Sequence, residues 1–223
     1  MIRIGEFNYC VGEIGIPGCG KSSDALNELH KRLGNHYIVA FDPDFSLPNK
    51  LHDGRKSEVY RYETCESLLA GLDSCPRGIH AINTNVEDAI NCARIVAASS
   101  IAGKQEGQKA VPTILYIDEI AEASGMSHSY IKPEIRTLIT GRRHKHIGIL
   151  WTGQSARICH NSLLGLSTEL RIYRLIDAKD YRRLSELNII SEADWKIIAP
   201  DNQTGYEGLP RFTHLSRKKG EWK

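Results

Sequence analysis

Residues 15–22 read Gly-Ile-Pro-Gly-Cys-Gly-Lys-Ser, a complete G-x-x-x-x-G-K-[ST] pattern. A loop of this kind needs a buried strand to deliver the chain and a helix to carry it away, so that successive backbone N–H groups converge on one anion. Both flanks are legible. Residues 9–14 are largely apolar, while Leu26, Leu29 and Leu33 share one face of a helix over 22–33 that Gly34 stops. Lys21 sets a cation against β- and γ-phosphates, and the Ser22 hydroxyl is a Mg²⁺ ligand. Gly15, Ile16, Pro17, Gly18, Cys19, Gly20, Lys21, Ser22 and the adjoining Ser23 are therefore candidate ATP-binding residues. A Gly-rich turn joining a strand to a helix is the plain structural alternative.

The second half of such a site reads from residues 111–119, Val-Pro-Thr-Ile-Leu-Tyr-Ile-Asp-Glu. A continuous apolar run is the signature of a strand covered on both faces of a parallel sheet. Its carboxyl end is where open α/β sheets bind ligands. Asp118 is expected to hold Mg²⁺, directly or through water, and Glu119 to act as general base on the attacking water. That adjacent pair points to ATPases with a catalytic Glu rather than to most P-loop kinases and GTPases. No Asn-Lys-x-Asp guanine-reading motif is present. Gly12 and Glu13 interrupt the strand ahead of the loop, and a carboxylate there requires a partner or exposure.

A chain of 223 residues fits one large α/β domain. The net charge of +2 is too small to draw a polyanion by itself, so nucleic-acid contacts must come from local clusters. No apolar stretch approaches the ~18 residues that a membrane-spanning helix needs, and no signal peptide is expected. Cys10, Cys19, Cys65, Cys75, Cys92 and Cys159 form no C-x-x-C pair, so neither a zinc site nor a disulfide framework is expected. Cys19 reads as a small filler within the loop that could confer sensitivity to thiol reagents.

Strands and helices alternate through the rest. Residues 36–41 read as a second buried strand closing in Asp42-Pro43, and residues 43–58 as an exposed polar loop. A short strand over 59–62 precedes a helix capped by Thr64 and running to Leu72. After a strand over 79–82, Thr84 and Glu87 read as a capping box that opens a helix through Ala102, followed by a polar turn over 103–109. Residues 124–132 are polar and irregular. Pro133 opens a helix with Ile135, Leu138 and Ile139 on one face. A strand over 147–152 ends in Gly153-Gln154, and a helix over 161–166, a strand over 169–175 and a helix over 177–187 follow. The alternation predicts the α/β class with a parallel, doubly wound sheet. The last thirty residues, with a basic tail of Arg217, Lys218, Lys219 and Lys223, read as short strands or coil. The expected division is an ATPase domain over 1–190 and a peripheral C-terminal extension of it over 191–223.

Residues 141–154, Gly-Arg-Arg-His-Lys-His-Ile-Gly-Ile-Leu-Trp-Thr-Gly-Gln, resemble the FtsK–HerA superfamily of RecA-like DNA-pumping ATPases. There a basic helix end leads into an apolar strand closed by T-x-Q, and Gln154 matches the family's sensor Gln. Asp42-Pro43 is similar to the D-P that closes the family's second strand, and residues 168–174 resemble its arginine-finger strand. The resemblance covers residues 9–187. It implies a RecA-like (ASCE) P-loop NTPase fold, a mostly parallel central sheet flanked by helices, with ATP and Mg²⁺ as ligands. It also implies a homo-oligomeric ring, hexameric or pentameric, with an arginine finger reaching a neighbour's site. Arg171 is the first choice for that finger, then Arg143 and Arg142, then Arg174. For each of them, a surface charge or a DNA-phosphate contact is the alternative. His144 and His146 beside Lys145 lack a third nearby metal ligand and read as a polar helix end.

Small single-domain members looking like this are genome-packaging ATPases of membrane-containing icosahedral viruses. The Arg142-Arg143-His144 run is similar to filamentous-phage assembly ATPases, which usually carry a transmembrane segment. The implied activity is ATP-driven translocation of double-stranded DNA into a preformed capsid, with capsid portal or vertex proteins as partners, in the host cytoplasm or the virion. Lys50, Arg55, Lys56, His128 and Lys132 are candidate DNA-phosphate contacts, with a solvated charged face as the alternative. A helicase or plasmid-transfer ATPase would share the site. A nucleotide-gated switch or small-molecule kinase would be monomeric and indifferent to DNA, and Asp118, Glu119 and Gln154 argue against it.

Overall fold

The computed structural model describes residues 8–51, 53–105, 110–201 and 203–220, and for residues 104 and 105 only the backbone. The strands are β1 (Cys10–Ile14), β2 (Tyr37–Phe41), β3 (Val59–Tyr62), β4 (Ile79–Ile82), β5 (Thr113–Ile117), β6 (Ile147–Gly153), β7 (Glu169–Ile172) and β8 (Leu215–Lys218). The helices are α1 (Lys21–His30), α2 (Cys65–Ser74), α3 (Val86–Gln105), α4 (Ile120–Ala123), α5 (Pro133–Gly141), α6 (Asn161–Leu166), α7 (Ala178–Glu186) and α8 (Glu192–Ile198). They form a mostly parallel sheet of eight strands, in the order β3-β4-β2-β5-β6-β1-β7-β8, flanked by helices.

The chain divides into two compact units. In the first, which contains Ser22–Asp118 and Pro133–Leu150, β2 pairs in parallel with β4 and β5, and β3 with β4. Every residue of β4 and β5 is buried, the polar His80 and Thr113 along with the apolar ones, as in strands covered on both faces. α3 packs on β2 and β5, and α2 on β3, β4 and α3. Thr64 caps α2 in a capping box with Ser67. At α3 the sequence reading is corrected. Asn85 accepts the Asp88 N–H at 2.8 Å and the Thr84 hydroxyl donates to the Asp88 carboxylate, so Thr84 and Glu87 form no box. The helix also runs past Ala102, which makes Gly103 helical; residues 106–109 of the expected turn lie outside the described residues. A second correction concerns the thiols. Cys65 and Cys92 form a disulfide between α2 and α3, with Cα atoms 6.1 Å apart. Their sequence spacing carried no sign of it, because only the side-by-side packing of the two helices brings them together.

The second unit holds Cys10–Lys21, Glu119–Lys132 and Trp151–Lys223. Here β1 pairs in parallel with β7, and β7 pairs antiparallel with β8. The two residues that break the apolar pattern of β1 now have reasons. A Cβ on Gly12 would stand 2.1 Å from the Trp151 ring and 2.8 Å from Leu170, so only glycine admits the buried indole. Glu13 is 0% exposed and meets Arg171, its cross-strand neighbour, at 3.1 Å. The Arg171 guanidinium also binds Glu169 at 2.9 Å. The segment read as strand or coil contains α8, opened by a Ser191–Asp194 capping box.

Removing one partner of a buried ion pair strands the other charge in a medium that solvates it poorly. Arg171→Met is expected to lower the free energy of unfolding by about 3–5 kcal/mol. The Glu13→Gln, Arg171→Met double variant should recover part of that loss; chemical denaturation measures both.

Candidate nucleotide-binding site

In the second unit the phosphate loop begins where β1 ends. Gly15 N–H donates to the Gly153 carbonyl at 3.1 Å and Ile16 N–H to the Arg174 carbonyl at 3.1 Å, so the loop root is held from both sides. Gly15 also lies close to Tyr173, where any Cβ on residue 15 would come within 2.6 Å of the tyrosine's own Cβ. Gly18 and Gly20 take φ of 75° and 110°, conformations that a side chain resists, and turn the loop back toward α1. Pro17 and Gly18 are exposed at its crest.

Lys21, the first residue of α1, is 6% exposed. Its ammonium donates to the Gly15 carbonyl at 2.6 Å and the Ile16 carbonyl at 3.2 Å, and stands 3.9 Å from the Glu119 carboxylate. Glu119 precedes α4 with φ 45°, a left-handed conformation rare outside glycine. Its N–H donates to the buried Thr152 hydroxyl at 2.9 Å, which fixes the strained residue from β6. Thr152 is the Thr of Thr-Gly-Gln, so the motif carried a signal for it. Gln154 is half-buried, next to Gly153 whose carbonyl holds Gly15. On its other side Ser155 and the Arg157 N–H both donate to Asp180 of α7.

In the first unit, Asp118 directly follows β5 and is 6% exposed. Its Oδ1 accepts the Tyr116 hydroxyl at 2.8 Å, and the Ser46 hydroxyl stands 2.8 Å from its Oδ2 and 3.0 Å from Asp42 Oδ1. Asp42 also accepts the N–H groups of Ser46 and Leu47. Burial pushes the Asp42 carboxyl above its usual range, opposed by those hydrogen bonds, and the Asp118 charge adds to the rise. Tyr116 and Ser46 have no sequence signature for this role. Ser22 is the second residue of α1.

The donor set suits magnesium. A carboxylate with two hydroxyl donors retains lone pairs for a cation. Mg²⁺ commonly takes one or two protein oxygens, with waters and phosphates completing its shell. No cluster of three or more His, Cys, Asp or Glu spaced for a metal occurs among the described residues.

The arginines separate by environment. Arg171 is engaged with Glu13 and Glu169 of its own chain, which does not suit a finger reaching a neighbour. Arg142 is buried and donates to the Ile139 carbonyl and to Asn8. Arg143 is exposed, with its Nε on Asn8 at 2.8 Å. Arg174 is half-buried, and its carbonyl anchors Ile16.

No protein-family model and no curated protein matches the sequence. Solved structures do match the fold. The genome packaging NTPase B204 of Sulfolobus turreted icosahedral virus 2, in complex with ATP-γS, superposes with a TM-score of 0.65 at 16% identity, over 97% of this chain and 95% of that one. The DNA-packaging ATPase B204 of Sulfolobus turreted icosahedral virus gives 0.62 at 15% identity, over 97% and 95%. ATPases 2 and 3 of EssC from Geobacillus thermodenitrificans give 0.53 at 13% identity, over 95% of this chain and 38% of that one. The chain has the fold of these P-loop ATPases, the RecA-like arrangement that the FtsK–HerA resemblance implied.

The thiols give a direct check on this geometry. Burial pushes the Cys19 thiol up, opposed by the Lys21 charge, and the Cys159 thiol up to about 12, with Asp180 and Glu119 adding to the rise. A raised pKa keeps the unreactive S–H form at neutral pH. Alkylation at pH 7.5, read by mass spectrometry on the native protein, is expected to mark half-buried Cys75 well before the buried Cys10, Cys19 and Cys159.

Proposed function

We propose that this chain hydrolyses ATP and uses the cycle to drive double-stranded DNA into a preformed capsid, as a packaging motor of the FtsK–HerA type. The observation that carries the proposal is the 3.9 Å approach of Lys21 to Glu119 on a glycine loop rooted at Gly15. One group is the cation for a transferring phosphoryl and the other the carboxylate for its attacking water. Backbone N–H groups of residues 18–22 would cradle phosphate oxygens, and Lys21 would leave the Gly15 and Ile16 carbonyls to bind them. Ser22 and Asp118, the chain neighbours of Lys21 and Glu119, would hold the magnesium ion. Bound there, it supplies charge neutralisation on the phosphates.

Glu119 would orient the water and accept its proton. Gln154 would register the γ-phosphate. Because Ser155 and Arg157 are tied to Asp180, a shift of Gln154 would pull on α7 and turn phosphate loss into motion. With Arg171 and Arg142 engaged within the chain, exposed Arg143 is the arginine we assign to a neighbouring subunit of a hexameric or pentameric ring. Lys50, Arg55, Lys56 and His128 are all exposed, as nonspecific DNA-phosphate contacts would need. The fold likeness to viral packaging ATPases over nearly the whole chain supports the packaging reading. On that reading the partners would be capsid portal proteins, and the place of action the packaging vertex in host or virion. The likeness to EssC favours, as a second reading, another FtsK–HerA-type ATPase.

Steady-state ATP hydrolysis with and without double-stranded DNA tests the proposal. DNA is expected to stimulate the wild type. Glu119→Gln should lower the rate by about 10²–10⁴-fold, the worth of a positioned base. Hydrolysis indifferent to DNA would contradict the motor, and no hydrolysis at all would contradict the enzyme.

A further inference from the structure

The C-terminal segment of the second unit comes back to the phosphate loop. Phe212 N–H donates to the Cys19 carbonyl at 2.8 Å, and its ring lies so near Gly20 that a Cβ there would stand 2.4 Å from ring carbon Cδ1. Two residues on, the His214 ring meets Tyr173 with centroids 5.1 Å apart, and Tyr173 is the side chain against Gly15. The segment is thus fastened at both ends of the loop.

Phe212 takes φ 64°, a region open to glycine and costly for a bulky side chain. A glycine there would make the same backbone hydrogen bond without strain, so the backbone does not explain the phenyl ring. Nor does burial, because Phe212 is 44% exposed. The Arg211 guanidinium lies over the ring at 4.7 Å from its centroid. An exposed aromatic plane beside the last glycine of a phosphate loop, carrying a cation, has the chemistry to stack on a heterocyclic base.

Resting on the nucleotide site proposed above, we infer that Phe212, with Arg211, seats the base of the bound nucleotide. The phosphate loop grips the phosphates alone, and the C-terminal segment reads the other end of the same ligand. The occupant is therefore a nucleoside triphosphate, distinguished from a bare polyphosphate by its base.

Calorimetric titration of the intact protein with the non-hydrolysable ATP analogue AMPPCP and with inorganic tripolyphosphate, each with Mg²⁺, tests the inference. Phe212→Ala is expected to weaken AMPPCP binding about tenfold, the lower range for losing one stacked base. It should leave tripolyphosphate binding unchanged, which also certifies that the variant is folded. Phe212→Trp should keep AMPPCP affinity, and Lys21→Ala should weaken both ligands. If Phe212→Ala weakens both ligands equally, or neither, the base seat is overturned while the nucleotide site stands. If the wild type binds neither ligand, both are overturned.

Discussion

Two backbone hydrogen bonds, Gly15 to Gly153 and Ile16 to Arg174, hold the root of the glycine loop between the ends of β6 and β7. β1 thus extends its ladder by one residue on each side before the chain turns. With the root fixed, the positive φ of Gly18 and Gly20 sets where the rest of the loop goes, and Lys21 folds back onto the carbonyls at its base. The same two anchors set the neighbours of the loop. Gly153 leads directly to Gln154, and Arg174 ends the stretch that begins with the paired Arg171.

Buried charge falls on a few residues, and each of these has partners. Glu13 has Arg171, Lys21 has two carbonyls and Glu119, and Asp42 has two N–H groups. Burying an ion without such partners would cost several kcal/mol (about the same order as the whole stability of a domain). Glu119 adds backbone strain, with its left-handed φ held by the Thr152 hydroxyl. A strained carboxylate residue set 3.9 Å from a buried lysine is what a chemical site looks like, because a core built only for stability has no use for either.

Much of this was legible in the sequence. The loop, the strand closing in Asp118 and the alternation of elements rest on local patterns, apolar runs and helical spacing, and the structure keeps them. Glu13 could be recognised as a residue needing a partner, but the partner is far along the chain, on β7, and pairing register is invisible to local reading. For the same reason Arg171 resembled a finger: its motif was in place while its counter-ion was out of sight. The Cys65–Cys92 pair depends on how two helices pack, and Asn85 took the role expected of Thr84 because caps shift by one residue at little cost. Phe212 is the least legible of all. It lies in a stretch of turns with no periodicity, and only its return to Cys19 and Gly20 gives it meaning.

The central claim is the proposal that the glycine loop and Lys21 hold a nucleoside triphosphate. Thermal unfolding with increasing Mg·AMPPCP tests it most directly, since a ligand that binds only the folded state raises its stability by mass action. At about a hundredfold excess over Kd the gain is about 2.7 kcal/mol. For a chain of this size that corresponds to a rise in Tm of about 5–10 °C. The wild type should show that rise and Lys21→Ala should not. A wild-type Tm that stays flat at millimolar nucleotide, or an equal rise in the variant, would contradict the account.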